Sequence, residues 1–234
     1  DMPLTYAKRI VRNLIGQHIP ILYEKIYNRE APIIRQNIEP FILHNIKMKV
    51  VDDYWQISDN EFDSIIVGSD QIWRPLYVKH IENYFLDFAK NWNIKKVAYA
   101  ASFGTANWEF SKSQSKRCRK LAQLFNAISM REDSGVELCK RHFGIEAKHV
   151  LDPTMLLENC DYIKLFKKNN TPKSSGNLLC YILDESEEKF NIVKTISKKR
   201  NLKPFKVNAR PEYRYDIPVE ERIQPSVEQW LRGF

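Results

Sequence analysis

The chain has 234 residues, of which 43% are hydrophobic and 28% are charged, and its formal net charge is +8. These proportions are typical of a globular domain, so disorder and collagen-like or low-complexity architectures are excluded. The longest apolar runs fall well short of the roughly 20 consecutive residues that a membrane span requires.

The basic surplus does not select a partner by itself, because Lys and Arg are interleaved with Asp and Glu along most of the chain. The four cysteines lie about twenty residues apart without a CxxC pair, and no His stands at ligand spacing from them. This pattern predicts no metal site. Motifs of base-reading modules are also missing, so nucleic acid is not expected as a partner.

The first 50 residues are predicted to be helical. From Leu4 to Asn28, and again from Arg29 to Lys47, apolar residues recur every three or four positions, which is the period of an amphipathic helix. Gly16 and Pro20 are the expected weak points of the first segment. In the second, Pro32 lies near the start and Pro40 is expected to break or kink the helix.

From residue 63 onward, short apolar runs alternate with helical patterns. The predicted strands are 64–67, 96–103, 127–130 and 148–151, and the first two are expected to be buried. The predicted helices are 113–125 and 132–143. Such alternation is typical of βαβ units and a parallel sheet, so the fold class is α/β.

A polar, breaker-rich stretch at residues 169–176 is predicted to be a linker. It would end an N-terminal α/β domain spanning residues 1–168. Beyond it the strand and helix patterns resume, with strands at 178–183 and 204–208 and helices at 185–200 and 226–231. Residues 177–234 are therefore expected to begin a second α/β domain, which is too short to be complete.

Ligands of open parallel sheets bind outside the carboxyl ends of the strands, so the residues that follow each strand are the candidates for chemistry. Asp70 can act as a base toward a hydroxyl and Trp73 can stack on a sugar, but they can equally cap a turn and fill the core. Arg131 suits a carboxylate or phosphate, or an ion pair with a nearby acidic residue. The remaining strand-end candidates are Gly68, Ser69, Gln71, Ser102, Phe103, Gly104, Glu132, Asp133, Ser134, Asp152 and Thr154.

Other catalytic motifs are missing from the sequence: there is no GxSxG elbow, no GxGxxG and no P-loop. The histidines are scattered, and His149 lies inside a predicted strand. Asp152, directly before Pro153, is interpreted as the initiator of a turn.

Taken together, five segments resemble the polysaccharide pyruvyl transferase family. They are FDSIIVGSDQIW (62–73), YFLDF (84–88), VAYAASFG (97–104), ISMREDSG (128–135) and VLDPT (150–154). Their order and approximate spacing match the family, and the resemblance is clear from about residue 62 to residue 166.

The resemblance implies transfer of a pyruvyl group from phosphoenolpyruvate to a sugar of a surface polysaccharide or its lipid-linked precursor, usually as a cyclic ketal. It implies two Rossmann-like domains arranged like a B-type glycosyltransferase. It also implies a cytoplasmic enzyme that uses phosphoenolpyruvate as its donor substrate and needs no other cofactor. The basic surplus suits contact with the inner face of the membrane.

Two departures from the family pattern indicate a fragment. The strand and Asn-x-Gly-type loop with which family members usually start do not precede Asp1, and the Thr-Asp-Ser-Phe-His run expected after residues 227–231 is not reached by Phe234. A fragment of this kind is expected to have doubtful activity alone.

The resemblance assigns roles to the strand-end residues. Asp70 and Arg131 are expected to be catalytic, with Arg131 on the anionic donor and Asp70 taking a hydroxyl proton or stabilising a cationic carbon. Donor contacts are expected from Arg131, Ser134, Ser102 and Gly104. Acceptor contacts are expected from Gly68, Ser69, Gln71 and Trp73.

Two alternatives stay open at this point. The same architecture serves nucleotide-sugar glycosyltransferases of polysaccharide biosynthesis. A non-catalytic carbohydrate-binding protein is the other alternative, with Trp73 and Trp108 as stacking platforms.

Overall fold

The computed structural model describes residues 3–14, 22–212 and 214–234. The chain divides into two compact units. One, here called the sheet unit, comprises residues 49–158; the other, the split unit, combines residues 1–48 with 159–234. The predicted domain division, with a boundary after residue 168, stays a prediction.

Helices and strands alternate through much of the chain. The α-helices are α1 (Pro3–Leu14), α2 (Tyr23–Arg35), α3 (Glu39–Asn45), α4 (Lys112–Ala122), α5 (Asp133–Leu138), α6 (Asn159–Lys168), α7 (Glu187–Arg200), α8 (Val219–Arg222) and α9 (Val227–Gly233). The strands are β1 (Ser64–Val67), β2 (Lys95–Ala101), β3 (Ala127–Met130), β4 (Lys148–His149), β5 (Leu178–Leu179) and β6 (Pro204–Phe205). Within the described ranges, no helix has both the length and the apolar character needed to cross a membrane.

The sheet unit is built on a parallel four-stranded sheet with the order β1-β2-β3-β4. The predicted α/β class and the parallel sheet are confirmed. Each strand lies beside its neighbour in sequence, so the described sheet lacks the reversal of strand order at which doubly wound folds bind ligands. All four carboxyl ends nevertheless lie at one edge of the sheet.

The pairing of β2 with β3 contains an irregularity that a side chain bridges. The Ser129 hydroxyl accepts a hydrogen bond from the backbone N–H of Ala100 (3.0 Å) and donates one to the carbonyl of Ala98 (3.2 Å). The register shifts between Ala98 and Ala101 at this point. The hydroxyl thus replaces one step of the backbone ladder and satisfies the polar groups that the shift leaves unpaired.

The strands of the sheet unit differ from the prediction in burial and in length. β1 was expected to be buried, but its residues alternate, and the side chain of Ile66 is 66% exposed. β4 ends at His149 rather than at Leu151, because the chain turns into a short 3-10 helix that the Asp152 side chain caps.

Aromatic rings form the core of the sheet unit around Trp73, which is fully buried. Its indole stacks on Phe85 at 4.4 Å between ring centroids, and its Nε1 donates to the carbonyl of Tyr84 (3.0 Å). The rings of Phe103 and Phe143 also pack against the Trp73 indole. Because the polar N–H has a partner, this large side chain is buried without an unpaired donor.

The split unit contains the short parallel pair of β5 and β6, in which Leu178 lies opposite Pro204 and Leu179 opposite Phe205. The predicted strands at 178–183 and 204–208 are therefore too long. Between these strands runs α7, which starts at the Ser186 cap and ends at Asn201 in the left-handed conformation.

Helix α6 was not predicted from the sequence, yet it packs on α9 in the split unit. The Arg232 guanidinium lies over the Phe166 ring, 5.3 Å from its centroid, and donates to the carbonyl of Thr171. Thr171 belongs to the predicted linker and is buried.

The apolar pattern from Leu4 to Asn28 predicted a helix. Its described residues lie mostly in two helices, α1 and the beginning of α2. Gly16 and Pro20, its expected weak points, lie outside the described residues. Pro32 lies inside α2, and Pro40 lies in the first turn of α3, where its missing N–H costs no helical hydrogen bond.

A buried ion pair joins α2 to α8 in the split unit. Arg222 Nη2 donates to Glu30 Oε2 at 2.6 Å, and Arg222 Nη1 donates to the carbonyl of Glu212 at 3.0 Å. Burial by itself raises the pKa of Glu30, but hydrogen bonds from Arg29 and Arg222 outweigh it and lower that pKa. Glu30 is therefore ionised at neutral pH, and removing it would leave Arg222 buried without its counter-charge.

Replacing Trp73 with Ala is expected to lower the free energy of unfolding of the sheet unit by about 4 kcal/mol, because it opens a cavity in the aromatic core. Denaturant melts measure this change. Trp55→Ala is the matched control, since its side chain is 80% exposed and lies in the same unit; a change of less than about 0.5 kcal/mol is expected there. Equal effects of the two substitutions would contradict the core assignment.

Replacing Glu30 with Gln is expected to destabilise the split unit by about 3 kcal/mol at pH 7, because Arg222 loses its counter-charge. The folded pKa of Glu30 is lowered, so this stabilisation is present above the unfolded pKa of about 4.3 and disappears as the pH falls through the folded pKa. Melts from pH 7 down to pH 3 should therefore show the two proteins converging. Glu188→Gln, an exposed change in the first turn of α7, removes only a helix-dipole interaction and should cost less than about 1 kcal/mol. A pH-independent effect at Glu30 would refute the ion-pair explanation.

Candidate active site at the carboxyl edge of the sheet

Backbone hydrogen bonds fix the loops that leave the parallel strands. Beyond β1 and β2, the backbone N–H of Trp73 donates to the carbonyl of Ser102 (3.2 Å), and the N–H of Ser102 donates to the carbonyl of Asp70 (3.1 Å). The N–H of Arg131 donates to the carbonyl of Ala101 (3.0 Å). The pairing thus continues past the strand ends and brings the loops after β1, β2 and β3 to one edge.

Arg131, which directly follows β3, is held by two carboxylates. Its Nε donates to Glu132 Oε1 (3.0 Å) and its Nη1 donates to Asp152 Oδ2 (3.3 Å), and 28% of its side chain is exposed. The sequence left open an anion contact or an ion pair, and the structure contains the ion pair. The guanidinium is consequently fixed in position, with part of its surface still accessible.

Asp70 lies near the same guanidinium but is not bonded to it. Its Oδ1 is 4.0 Å from Nη1 of Arg131, and 84% of its side chain is exposed. The φ angle of Asp70 is +26°, outside the usual range for a residue other than glycine. The turn therefore directs an exposed carboxylate toward Arg131 at a distance too long for a hydrogen bond.

Ser102 lies behind the charged cluster and supports it. The residue is fully buried; its hydroxyl donates to Glu132 Oε1 (3.0 Å) and accepts from the backbone N–H of Gly104 (2.9 Å). A buried hydroxyl with both bonds made cannot reach a donor substrate. The expected donor contact of Ser102 is thus replaced by a supporting one, in which Ser102 orients Glu132 and Glu132 orients Arg131.

The expected acceptor residues after β1 occupy different environments. Gly68 and Asp70 are exposed and Ser69 is half-buried, whereas Trp73 lies entirely in the core and presents no surface to a sugar. Of the two alternatives for Trp73, stacking on a sugar or filling the core, the structure contains the second. The other four expected acceptor and catalytic positions of this loop, counting Gln71, remain at the edge.

Two glycines at the edge have positive φ angles; Gly68 faces a backbone carbonyl, and Gly104 faces a side chain. A Cβ on Gly68, where φ is +136°, would come within 1.9 Å of the carbonyl oxygen of Tyr99. A Cβ on Gly104, where φ is +70°, would come within 2.2 Å of Gln71 Oε1. Gln71 in turn accepts from Nη1 of Arg74 (3.3 Å). The loops after β1 and β2 are therefore pressed together, with Gln71 against Gly104.

Asp152 belongs to the site as well as to a turn. Its Oδ1 accepts from the backbone N–H of Thr154 (3.0 Å), which confirms the predicted turn. Hydrogen bonds from Thr154, and then from Arg131 and Ser69, lower the pKa of Asp152. It is therefore a stable anion at neutral pH that joins the loop after β4 to Arg131.

His149 also lies at this edge, although the sequence did not indicate it as a strand-end residue. It ends β4, and its Nε2 lies 3.0 Å from the carbonyl oxygen of Arg131. The prediction missed this because it extended the strand by two residues. His149 and Ser134, an expected donor residue, line a hollow of about 470 Å³ beside α5.

The charges of the cluster favour positive rather than negative species. Three carboxylates, on Asp70, Glu132 and Asp152, lie within 4.0 Å of one guanidinium. Such a site stabilises a carbon that gains positive charge and accepts protons from hydroxyls. An anion bound here must rely on directed hydrogen bonds rather than on a positive field.

Over the described ranges, the structure contains no group of three His, Cys, Asp or Glu side chains placed to hold a metal ion. The expectation that the site needs no metal stays a prediction.

Comparison with known proteins gives one family. A search of curated proteins and a search of solved structures found no match. The family model described as polysaccharide pyruvyl transferase matches residues 6–232. Because this match extends over nearly the whole chain, the protein belongs to the polysaccharide pyruvyl transferase family.

Proposed function

We propose that the protein transfers a pyruvyl group from phosphoenolpyruvate to hydroxyls of a sugar, at the carboxyl edge of the four-stranded sheet. Family membership supports a transferase that acts on a polysaccharide. The observation that carries the finer proposal is the convergence of four of the five family-like segments at this edge, where Asp70 comes to 4.0 Å from Arg131.

The proposed reaction passes through a cationic carbon. Protonation of C3 of phosphoenolpyruvate places positive charge on C2, and a sugar hydroxyl attacks C2 while its proton passes to a base. Phosphate then leaves with the electrons of its bond to C2, and a second hydroxyl closes the ketal and releases its proton. The products are the ketal and inorganic phosphate, so atoms and charge balance without an oxidant or a further cofactor.

Asp70 is the proposed base. Its exposure leaves it accessible to a hydroxyl, while Glu132 and Asp152 are engaged with Arg131. A carboxylate in this position also stabilises the charge on C2. The neighbouring Gly68, Ser69 and Gln71 are the proposed acceptor contacts, and Trp73 is left out of that set because it is buried.

Arg131 is the proposed contact of the donor carboxylate. Because Glu132 and Asp152 already neutralise it, the contact would depend on correctly directed N–H groups rather than on net charge. Gly104 and Ser134 are proposed to complete the donor side, with Ser102 supporting Glu132 from behind.

The finer fold assignment belongs to the same proposal. We propose that the parallel strands of each unit belong to a Rossmann-like domain, as in B-type glycosyltransferases. In the split unit this is supported by the β5-α7-β6 sequence of elements. We also propose a cytoplasmic location, where a net charge of +8 favours the anionic inner face of the membrane and a lipid-linked acceptor.

Asp70→Asn is expected to lower kcat for pyruvyl transfer by roughly 100-fold or more, because the amide can neither accept the proton nor stabilise the cation. Phosphate release in the presence of acceptor measures turnover, and calorimetry with phosphoenolpyruvate should show nearly unchanged donor affinity. Asp59→Asn, an exposed change in the same unit, serves as the control and should retain full activity. Wild-type turnover of Asp70→Asn would remove this residue from the mechanism.

Arg131→Lys is expected to weaken phosphoenolpyruvate binding at least tenfold, because an ammonium group cannot bond Glu132 and Asp152 and still present a planar N–H edge. Calorimetry on the wild type and on Arg131→Lys measures the difference, with Arg141→Lys as an exposed control. The same titration with UDP- and GDP-sugars should give no binding to the wild type. Tight binding of a nucleotide sugar, without binding of phosphoenolpyruvate, would favour the glycosyltransferase alternative instead.

A further inference from the structure

The carboxyl ends of β5 and β6 open into a cavity of about 1040 Å³ in the split unit. Its walls come from the residues after β5, the residues after β6, and α9. This volume lies at the upper end of the range of small-molecule sites, roughly 300–1,000 Å³. The place is also the one where open parallel sheets bind ligands.

One wall of the cavity is aromatic. Tyr181 follows β5 and Trp230 lies on α9, and their rings meet edge to face with centroids 5.3 Å apart. Tyr181 is 51% exposed, and Trp230 is half-buried. Aromatic faces carry negative potential and attract the weakly positive C–H groups on the faces of sugar rings.

Another part of the lining is charged but internally neutralised. Arg210 Nη1 contacts Glu185 Oε2 at 2.6 Å, and Lys206 contacts Oε1 of the same carboxylate. These two hydrogen bonds lower the pKa of Glu185, so it stays ionised between its two cations. A phosphate would have to displace this carboxylate, and the lining as a whole has four carboxylates against three cations.

Asn208 belongs to the lining of the cavity, but its Oδ1 is buried beneath the surface and has no partner among the described residues. This oxygen is therefore out of reach of a ligand in the cavity. Hydrogen bonds to a ligand depend instead on the paired charged side chains, whose donors and acceptors both suit a hydroxyl.

We propose that this cavity is a carbohydrate site that holds an uncharged sugar ring against Tyr181 and Trp230. The paired charges offer directed hydrogen bonds to hydroxyls without a positive field for phosphate. The inference goes beyond pyruvyl transfer, because it requires neither phosphoenolpyruvate nor the residues of the sheet unit. Binding can therefore be measured without donor and without turnover.

The test is calorimetry of the full chain with a panel of neutral methyl pyranosides and neutral oligosaccharides, and with sugar 1-phosphates, at low and high salt. We expect a neutral sugar to bind with an affinity that does not change with salt. Sugar 1-phosphates should bind more weakly than their neutral counterparts. Failure of every neutral sugar to bind, or preferential binding of the phosphates, would overturn the proposal.

Substitutions in the lining test whether the neutral sugar binds in this cavity. Tyr181→Ala and Trp230→Ala should each weaken binding of the neutral sugar at least tenfold, with unchanged circular dichroism. Tyr77→Ala, at an exposed tyrosine of the sheet unit, is the matched control and should bind normally. Unaltered binding in both cavity variants would refute the site. Sugar binding that persists in Asp70→Asn, together with loss of turnover, separates this proposal from the proposed function.

Discussion

The Arg131 guanidinium, fixed between Glu132 and Asp152, is the interaction on which the edge of the sheet depends. It joins the segment after β3 to the segment after β4, and the buried Ser102 hydroxyl ties Glu132 to the segment after β2. Each of these charges would be costly so close to the core without its partners. Since every member has a bonded neighbour, the network is rigid enough to hold a reacting group in one place.

Paired charges have the same consequence in both units. At the edge of the sheet, the carboxylates outnumber the cation they surround, so the site suits developing positive charge and directed contacts. In the cavity beyond β5 and β6, Glu185 holds both Lys206 and Arg210. The net charge of +8 therefore says little about either site, because the cations that face them are already engaged.

The sequence was sufficient where a feature depends on local pattern. β-branched runs followed by helices predicted the parallel sheet, and the rule of strand ends placed Asp70 and Arg131 at one edge. The sequence was insufficient where a feature depends on strand register or on how deeply a side chain is buried. The contact of Arg131 with Asp152 spans 21 residues and requires β4 to lie beside β3, and the burial of Trp73 and Ser102 depends on how far the loops fold back over the core. For β5 and β6 the sequence indicated strands but not their length, since two-residue strands carry too few positions for a period to mark where they end.

Gly68 helps to explain how the side chain of Asp70 can be exposed while its backbone is held in position. Gly68 lets the backbone after β1 press against Tyr99 of β2, where any Cβ would collide with the carbonyl oxygen, and the carbonyl of Asp70 then accepts from Ser102. The main chain is thus held on both sides of the carboxylate while the side chain itself stays in solvent. Glu132 and Asp152 show the opposite arrangement, since their oxygens are engaged with Arg131 and, respectively, with Ser102 and Thr154. An accessible carboxylate, on a backbone that hydrogen bonds hold in position, is what a base in this position requires.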